Sequence, residues 1–292
     1  MKDGLEIREV RESDREEIEA LSEGIWDGWD YIPDMFEAWV EDGGFICGEE
    51  DGKIIGLAKH TWHKDGVLWL EGLRVHPDHQ CEGYGRKMIK GQIDHIDELD
   101  YDVVRFLTSG DKIPVRKVVE DLGFELKKSY DYFYLDEDQL EEMDQPSKDE
   151  FEGVEQEKNT EEVIRFVFSS PEYERNGRLY VEGWTAYDIE EDLIRDRIKR
   201  GDCYSITEQG EIKAVMFVYL NEIYDSVSVP FISGEEGDMK KLLNFGLKNA
   251  IENGRRTFRV KTASERVVSA AKATGLKRSD HGCSVVYEKS GE

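Results

Sequence analysis

Two stretches of this chain repeat one another's spacing, and that repetition constrains the fold more than any local pattern does. WDYIPDMFEAWVEDGGFICGEEDGKIIGLA, beginning at Trp29, matches TAYDIEEDLIRDRIKRGDCYSITEQGEIKAV in the placement of its turns. Gly43 answers Gly201, Gly52 answers Gly210 and Asp34 answers Asp192, all at one offset. In each copy an acidic helix ends at a glycine, a strand follows, a glycine-containing turn reverses it, and a second strand returns. Further on, Leu122-Gly123-Phe124 answers Thr274-Gly275-Leu276 at a shorter offset, so the second copy has lost a few residues between these landmarks. A chain of 292 residues is long enough for two such units, each burying its own core.

The loss falls on the segment that carries the most chemistry in the first copy. In GVLWLEGLRVHPDHQCEGYGRKMI, residues 66–89, an alternating apolar strand runs into a short polar turn. Gln80-Cys81-Glu82-Gly83-Tyr84-Gly85 then opens a helix that carries Arg86, Lys87 and Lys90. Glycines two apart at such a turn let backbone N–H groups approach a ligand with no Cβ in the way. The helix N-terminus adds a partial positive charge, which suits a phosphate or pyrophosphate. The turn has no Gly-Lys-Ser/Thr and no third glycine, so it is neither a P-loop nor a dinucleotide fingerprint. Within a chain of formal charge −27, the cations Arg74, His76, His79, Arg86, Lys87 and Lys90 read as a locally basic anion site. The second copy has Gly234-Glu235-Glu236-Gly237-Asp238-Met239 at the corresponding place, with three acidic side chains where an anion would sit.

Gln-x-x-Gly-x-Gly preceded by Leu70-Glu71-Gly72-Leu73-Arg74-Val75-His76-Pro77 resembles the acetyl-CoA pyrophosphate loop and preceding strand of the GNAT N-acetyltransferases. The coarse order is similar to that family's throughout: strand 4–10, helices 14–24 and 33–42, strands 44–50, 53–64 and 66–75, helix 84–98, strand 102–108, helix 113–122 and strand 125–135. The fold expected is α+β, two tandem GNAT-like domains, each a mixed, mainly antiparallel central sheet flanked by helices. The boundaries expected are 1–135 for the acetyl-CoA-binding domain, 136–150 for an acidic solvated linker and 151–292 for a degenerate second domain.

The resemblance implies roles for particular residues. Gln80, Cys81, Gly83, Tyr84, Gly85 and Arg86 occupy the pyrophosphate positions. Leu73, Arg74 and Val75 form the strand whose backbone would pair with the pantetheine arm and offer an N–H to the thioester oxygen. Glu71, just before that stretch, stands where many relatives place a catalytic or substrate-binding glutamate. Strict alternation puts it on one face with Trp69 and Leu73, where desolvation would raise its pKa. The family often has an Asn and a Tyr where this chain has Lys112 and Val119, so its usual general acid is missing. Ser109, Tyr130, Tyr132 or Tyr134 could replace it, with Ser109 and Tyr132 taken as the catalytic candidates. Trp26, Trp29, Tyr31 and Phe36 fall in the segment that lines the acceptor site in relatives. Trp29 and Tyr31 are the expected acceptor contacts, and Asp27, Asp30 and Asp34 would suit a cationic amine.

The activity expected is transfer of acetyl from acetyl-CoA to a primary amine of a small molecule or peptide, by direct attack in the first copy. A non-catalytic CoA sensor or interaction module is the alternative, favoured by the missing tyrosine. The large negative charge disfavours nucleic acid. The longest apolar run, Ala214 to Leu220, is too short to span a bilayer, so no membrane role is expected. No signal peptide is read in MKDGLEIREV. Four dispersed cysteines (47, 81, 203 and 283) without C-x-x-C suggest a reduced, cytoplasmic setting and no structural zinc. His60-x-x-His63 spans opposite faces of a strand, and His76-x-x-His79 lies in the turn, so no metal is expected.

Overall fold

The computed structural model describes residues 4–25, 30–64, 66–222 and 225–291, with the backbone alone at His281. The first half runs β1 (Glu6–Glu9), α1 (Arg15–Glu23), α2 (Ile32–Asp42), β2 (Phe45–Glu50), β3 (Lys53–Lys64), β4 (Val67–Val75), α3 (Tyr84–Ile96), β5 (Val103–Ser109), α4 (Ile113–Asp121) and β6 (Glu125–Leu135). The second runs α5 (Glu137–Glu142), β7 (Val154–Gln156), α6 (Thr160–Ser169), α7 (Pro171–Arg175), β8 (Leu179–Glu182), β9 (Thr185–Asp188), α8 (Glu191–Arg200), β10 (Cys203–Glu208), β11 (Glu211–Asn221), β12 (Ser226–Gly234), α9 (Glu236–Glu252), β13 (Thr257–Thr262), α10 (Glu265–Ala273) and β14 (Arg278–Ser290). The α+β class follows from this mixture of hairpins and interleaved helices.

The chain divides into two compact units: Met1–Phe106, Lys112–Glu125 and Tyr287–Glu292 form the first, and Leu107–Asp111 with Leu126–Val286 form the second. In the first, β1 to β4 pair antiparallel in chain order and β5 joins β4 in parallel. Apolar residues of α1 and α2, among them Ile18, Leu21, Phe36 and Trp39, pack with Phe45, Cys47, Ile54 and Leu57 on one face of this sheet. Alternation sends Ile46 and Ala58 to the opposite face, against Met88 of α3. In the second unit β7, β10, β11 and β12 pair antiparallel, β13 joins β12 in parallel, and β6 pairs antiparallel with β13. The β8–β9 hairpin there forms a separate two-stranded sheet.

These units do not break where the sequence suggests. The strand 125–135, expected to close the first domain, belongs from Leu126 onward to the second unit. There Phe133 and Leu135 enter the core beside Phe258 and Val260. Residues 287–292 belong instead to the first unit, where Tyr287 stacks on Phe106 with ring centroids 5.6 Å apart. β6 and β14 hold matching places in the spacing of the two sequence stretches, which is why local pattern does not separate them. The acidic stretch 136–150 is also more ordered than a solvated linker. Asp136 and Gln139 form a capping box at the start of α5, and Leu140 is buried in the second unit's core.

Candidate active site

Glu71 owes its position to a kink in β4. The β3–β4 register passes from Lys59↔Glu71 to Leu57↔Arg74, so β4 carries one extra residue there. Gly72 takes that place at φ +68°, and a Cβ on it would come within 2.8 Å of the Trp39 ring. The bulge corrects the alternation expected from sequence. Trp69 and Glu71 share the α2 face with Thr61 and Lys59, whereas Leu73 turns to the opposite face and packs near Met88. Downstream of Trp69 the two parallel strands part. Among the described residues β4 pairs with β5 only through Val67, Leu68 and Trp69. Leu70, Glu71, Arg74 and Val75 keep their β3 partners while the other edge of this stretch meets no described strand, the carbonyls of Leu73 and Val75 accepting instead from the side chains of Arg74 and Gln80.

The carboxylate of Glu71 is half-buried and accepts a hydrogen bond of 2.8 Å from Thr61 Oγ1. Burial raises its pKa above the ordinary carboxylate value, opposed by the Thr61 bond and by the nearby Lys59 ammonium. Lys59 is itself fully buried and donates to Asp42 at 2.6 Å and to the carbonyl of His60. Its charge is thus spent largely on Asp42, which leaves Glu71 with a hydroxyl as its closest polar partner. Such a carboxylate takes up a proton more readily than an ordinary one, which is what a general base requires.

Tyr31, the other expected acceptor contact that is described, packs edge-on against Trp39 at 5.8 Å. Its ring covers the Arg74 guanidinium at 5.3 Å. Arg74 is forked onto Asp30 through two bonds of 2.9 Å, and that carboxylate is buried. The pair corrects two expectations: Asp30 is committed to arginine rather than awaiting an amine, and the Arg74 side chain faces Asp30. Breaking a buried pair leaves an uncompensated charge, so Asp30→Asn should cost about 3 kcal/mol of stability. Urea unfolding at neutral pH would read this directly, and a loss under about 1 kcal/mol would show the pair to be as weak as a surface bridge. Phe36 is core, and Trp26, Asp27 and Trp29 lie outside the described residues. Asp34 is exposed in the first turn of α2.

The glycine turn begins with a short 3-10 segment, Pro77–His79, and passes through Cys81 at φ +65°. Gly83 caps α3 in the left-handed conformation at φ +90°. Gly85, inside the first turn, has ordinary φ, and a Cβ there would meet nothing closer than Val75 Cγ2 at 3.9 Å. The protein therefore requires glycine at 83 for its backbone, whereas nothing in the protein requires it at 85. Lys87 N–H makes the first bond of the helix, to the Gly83 carbonyl, so the N–H groups of Tyr84, Gly85 and Arg86 precede the ladder, an arrangement that suits an anion. Gln80 steadies the turn with a 3.4 Å bond to the Val75 carbonyl.

The side-chain cations are less available than the sequence suggests. Arg86 lies 2.9 Å from Asp121, His79 3.4 Å from Glu82, and Lys87 rests on the Tyr84 ring at 4.5 Å. The Tyr84 hydroxyl donates to Glu50, and that hydrogen bond, with burial and the carboxylate's charge, pushes its pKa up to about 12. Backbone amides, rather than a cluster of free cations, are what this turn offers. Cys81 is exposed beside it.

Ser109 and Tyr132 fall in the second unit. Burial pushes the Tyr132 hydroxyl up to about 12, which makes it a weaker proton donor than an ordinary tyrosine. Val119, where relatives often carry tyrosine, is buried. Among the described residues no three His, Cys, Asp or Glu side chains converge as metal ligands, and no helix is long and apolar enough to cross a membrane. In the second unit β12 ends at Gly234 and α9 starts at Glu236, with Glu236 and Asp238 in its first turn. Arg266 donates to the Gly234 carbonyl there.

Known proteins resemble this chain in sequence over its first part and in fold over nearly all of it. Residues 8–124 match the sequence model of the Acetyltransferase (GNAT) family, whose members use acetyl-CoA. A Histidine N-acetyltransferase of Oreochromis niloticus is 27% identical over 146 residues, 43% of this chain and 43% of that protein. One from Xenopus tropicalis is 39% identical over 70 residues, 23% of this chain and 21% of that one. The chain thus aligns with less than half the length of these curated relatives. A GCN5-related N-acetyltransferase from Sphaerobacter thermophilus shares the fold with a TM-score of 0.67 at 11% identity, over 98% of this chain and 95% of the other. N-myristoyltransferase of Saccharomyces cerevisiae does so with a TM-score of 0.60 at 10% identity, over 99% and 78%. Residues 8–124, the part of the chain that carries Glu71 and the glycine turn, are thus similar to the GNAT acetyltransferase family.

Proposed function

We propose that the chain is an N-acetyltransferase that moves acetyl from acetyl-CoA to the primary amine of a small acceptor, with the chemistry in the first unit. The observation that carries this reading is the bulge at Gly72. It sets a desolvated Glu71 on the same strand as a backbone edge that no other described strand takes up beyond Trp69, and that strand leads directly into the glycine turn. The pyrophosphate would lie on the amides of Gly83 to Arg86, and the pantetheine arm along Leu73–Val75. Glu71, directly or through a water, takes the proton of the acceptor ammonium. The neutral amine attacks the thioester carbonyl, whose oxygen is held by a strand N–H, and the C–S bond breaks as the amide forms. Ser109 and Tyr132 belong to the second unit and the pKa of Tyr132 is raised, so this reading assigns neither as acid: the thiolate, a good leaving group, departs and takes up the proton released by the amine nitrogen.

An α-amino acid, histidine first, is the acceptor class to try, because the curated relatives named above carry that name. Incubation with acetyl-CoA and a panel of free amines and short peptides, with product masses recorded, tests the proposal. Acetylated free amine supports it. Tight CoA binding without any product would favour the sensor reading instead, which the buried Val119 keeps in play.

CoA should bind once per chain, because the second unit has no glycine turn and places acidic residues at the start of α9. Titration calorimetry on the full chain should return a stoichiometry of about one. Two sites of similar affinity would show that the second unit also holds the cofactor.

A further inference from the structure

We infer that the second unit carries a binding site for a small organic carboxylate, formed by Arg259 and Lys261 on β13 and walled by Tyr132, Tyr134 and Trp184. The register pairs Arg259 with Tyr134 and Lys261 with Tyr132, so these four side chains lie on one face of the β6–β13 ribbon. Phe133, Leu135, Phe258 and Val260 take the other face and enter the core. Lys261 is 5% exposed, donates to the carbonyl of Gly183, and has its ammonium 3.9 Å from the Trp184 ring centroid and 4.9 Å from that of Tyr132. The Arg259 guanidinium lies over Tyr134 at 5.6 Å, and its Nε is buried without a hydrogen-bond partner.

Charge makes this cluster unusual. The chain has 66 acidic residues against 39 Lys and Arg, yet among the described residues no carboxylate pairs with either Arg259 or Lys261. Two cations two residues apart on one strand face repel each other, and desolvation together with Arg259 lowers the pKa of Lys261 well below its ordinary value. Apolar residues of similar volume would serve packing better than such a pair. An anion that accepts from Arg259 Nε and from Lys261 supplies the missing charge. The fork of a guanidinium matches the plane of a carboxylate. The aromatic wall, with Trp184 still 45% exposed at the tip of the β8–β9 hairpin, suits an organic body better than a hydrated inorganic ion. The site rests on residues of the second unit alone and stands apart from the acetyl-transfer reading.

Titration of the full chain with benzoate, benzamide and inorganic phosphate tests the assignment, alongside Arg259→Met and Lys261→Met. Benzoate should bind once, benzamide undetectably, and each variant should lose more than about tenfold in benzoate affinity, since each removes one charge-assisted bond. Circular dichroism and unchanged CoA affinity would show that the variants remain folded. Lysine should also take up protons as the anion enters, so the heat of benzoate binding should vary with the ionisation enthalpy of the buffer in the parent chain and lose that dependence in Lys261→Met. The groups facing this amine are Arg259 on its own strand and Tyr132 and Tyr134 across the ribbon. Absence of benzoate binding, equal binding by both variants, or phosphate binding as tight as benzoate would overturn the proposal.

Discussion

Glu71→Gln should lower kcat by about 10²–10⁴-fold, the range that a positioned general base contributes. The amide keeps the shape and can still accept from Thr61 Oγ1, so proton acceptance is what disappears. CoA affinity should stay nearly unchanged. Two pH effects accompany the loss. Because burial raises the pKa of Glu71, the acidic limb of the parent's rate profile should lie above the ordinary carboxylate range, with activity rising as the group ionises. The variant should lack that limb, and its deficit should shrink at high pH as more acceptor amine becomes neutral unaided. Stability runs in the opposite direction. A carboxyl whose folded pKa is raised favours folding while protonated and loses that contribution as pH rises through the folded pKa. Glu71→Gln should therefore be slightly more stable than the parent at pH 8, as expected when a catalytic group is held at some cost to the fold. A variant that kept its kcat and raised only the acceptor KM would make Glu71 a binding residue.

Gly85→Glu should weaken CoA binding by about a thousandfold or more, the equivalent of losing roughly three charge-assisted backbone contacts. Space around Gly85 makes this the cleaner of the two glycine tests. A Cβ there touches only Val75 at 3.9 Å, so far-UV circular dichroism and melting should match the parent while calorimetry loses the ligand. Gly83→Val would abolish binding too, but a branched side chain at φ +90° strains the turn, so its loss would mix backbone and ligand effects. Unchanged CoA affinity in Gly85→Glu would mean that the pyrophosphate does not lie on this turn.

Much of the first unit was legible because its strands alternate and its turns are glycine-marked. The strands 53–64 and 125–135 end in the structure at the residues expected. Local pattern does not say which partner a strand chooses, however. β6 and β14 fall at matching places in the spacing read from the sequence, and nothing in either segment tells which core it will enter. Alternation also misled at Leu73, because it assumes an unbroken pleat and Gly72 breaks it. Gly72 beside an expected catalytic strand position was the available signal. Asp30 was named for its charge, but its partner Arg74 lies far along the chain, beyond the reach of spacing arguments. The β8–β9 hairpin was not read because the match to the first copy begins at Thr185, the first residue of its second strand.

Assigning residues 287–292 to the first unit has a consequence for how the protein is made. Chains emerge from the ribosome at about 5–20 residues per second, and N-terminal domains commonly fold before later ones appear. Here the residues carrying Glu71 and the glycine turn are synthesised well before Tyr287 and Glu288, on which the stacking with Phe106 and the bond from Arg105 depend. During that interval the first unit would present an unfilled strand position to chaperones or to neighbouring nascent chains. A premature stop shortly before Tyr287 would spare every proposed catalytic residue and still deprive their unit of its final strand.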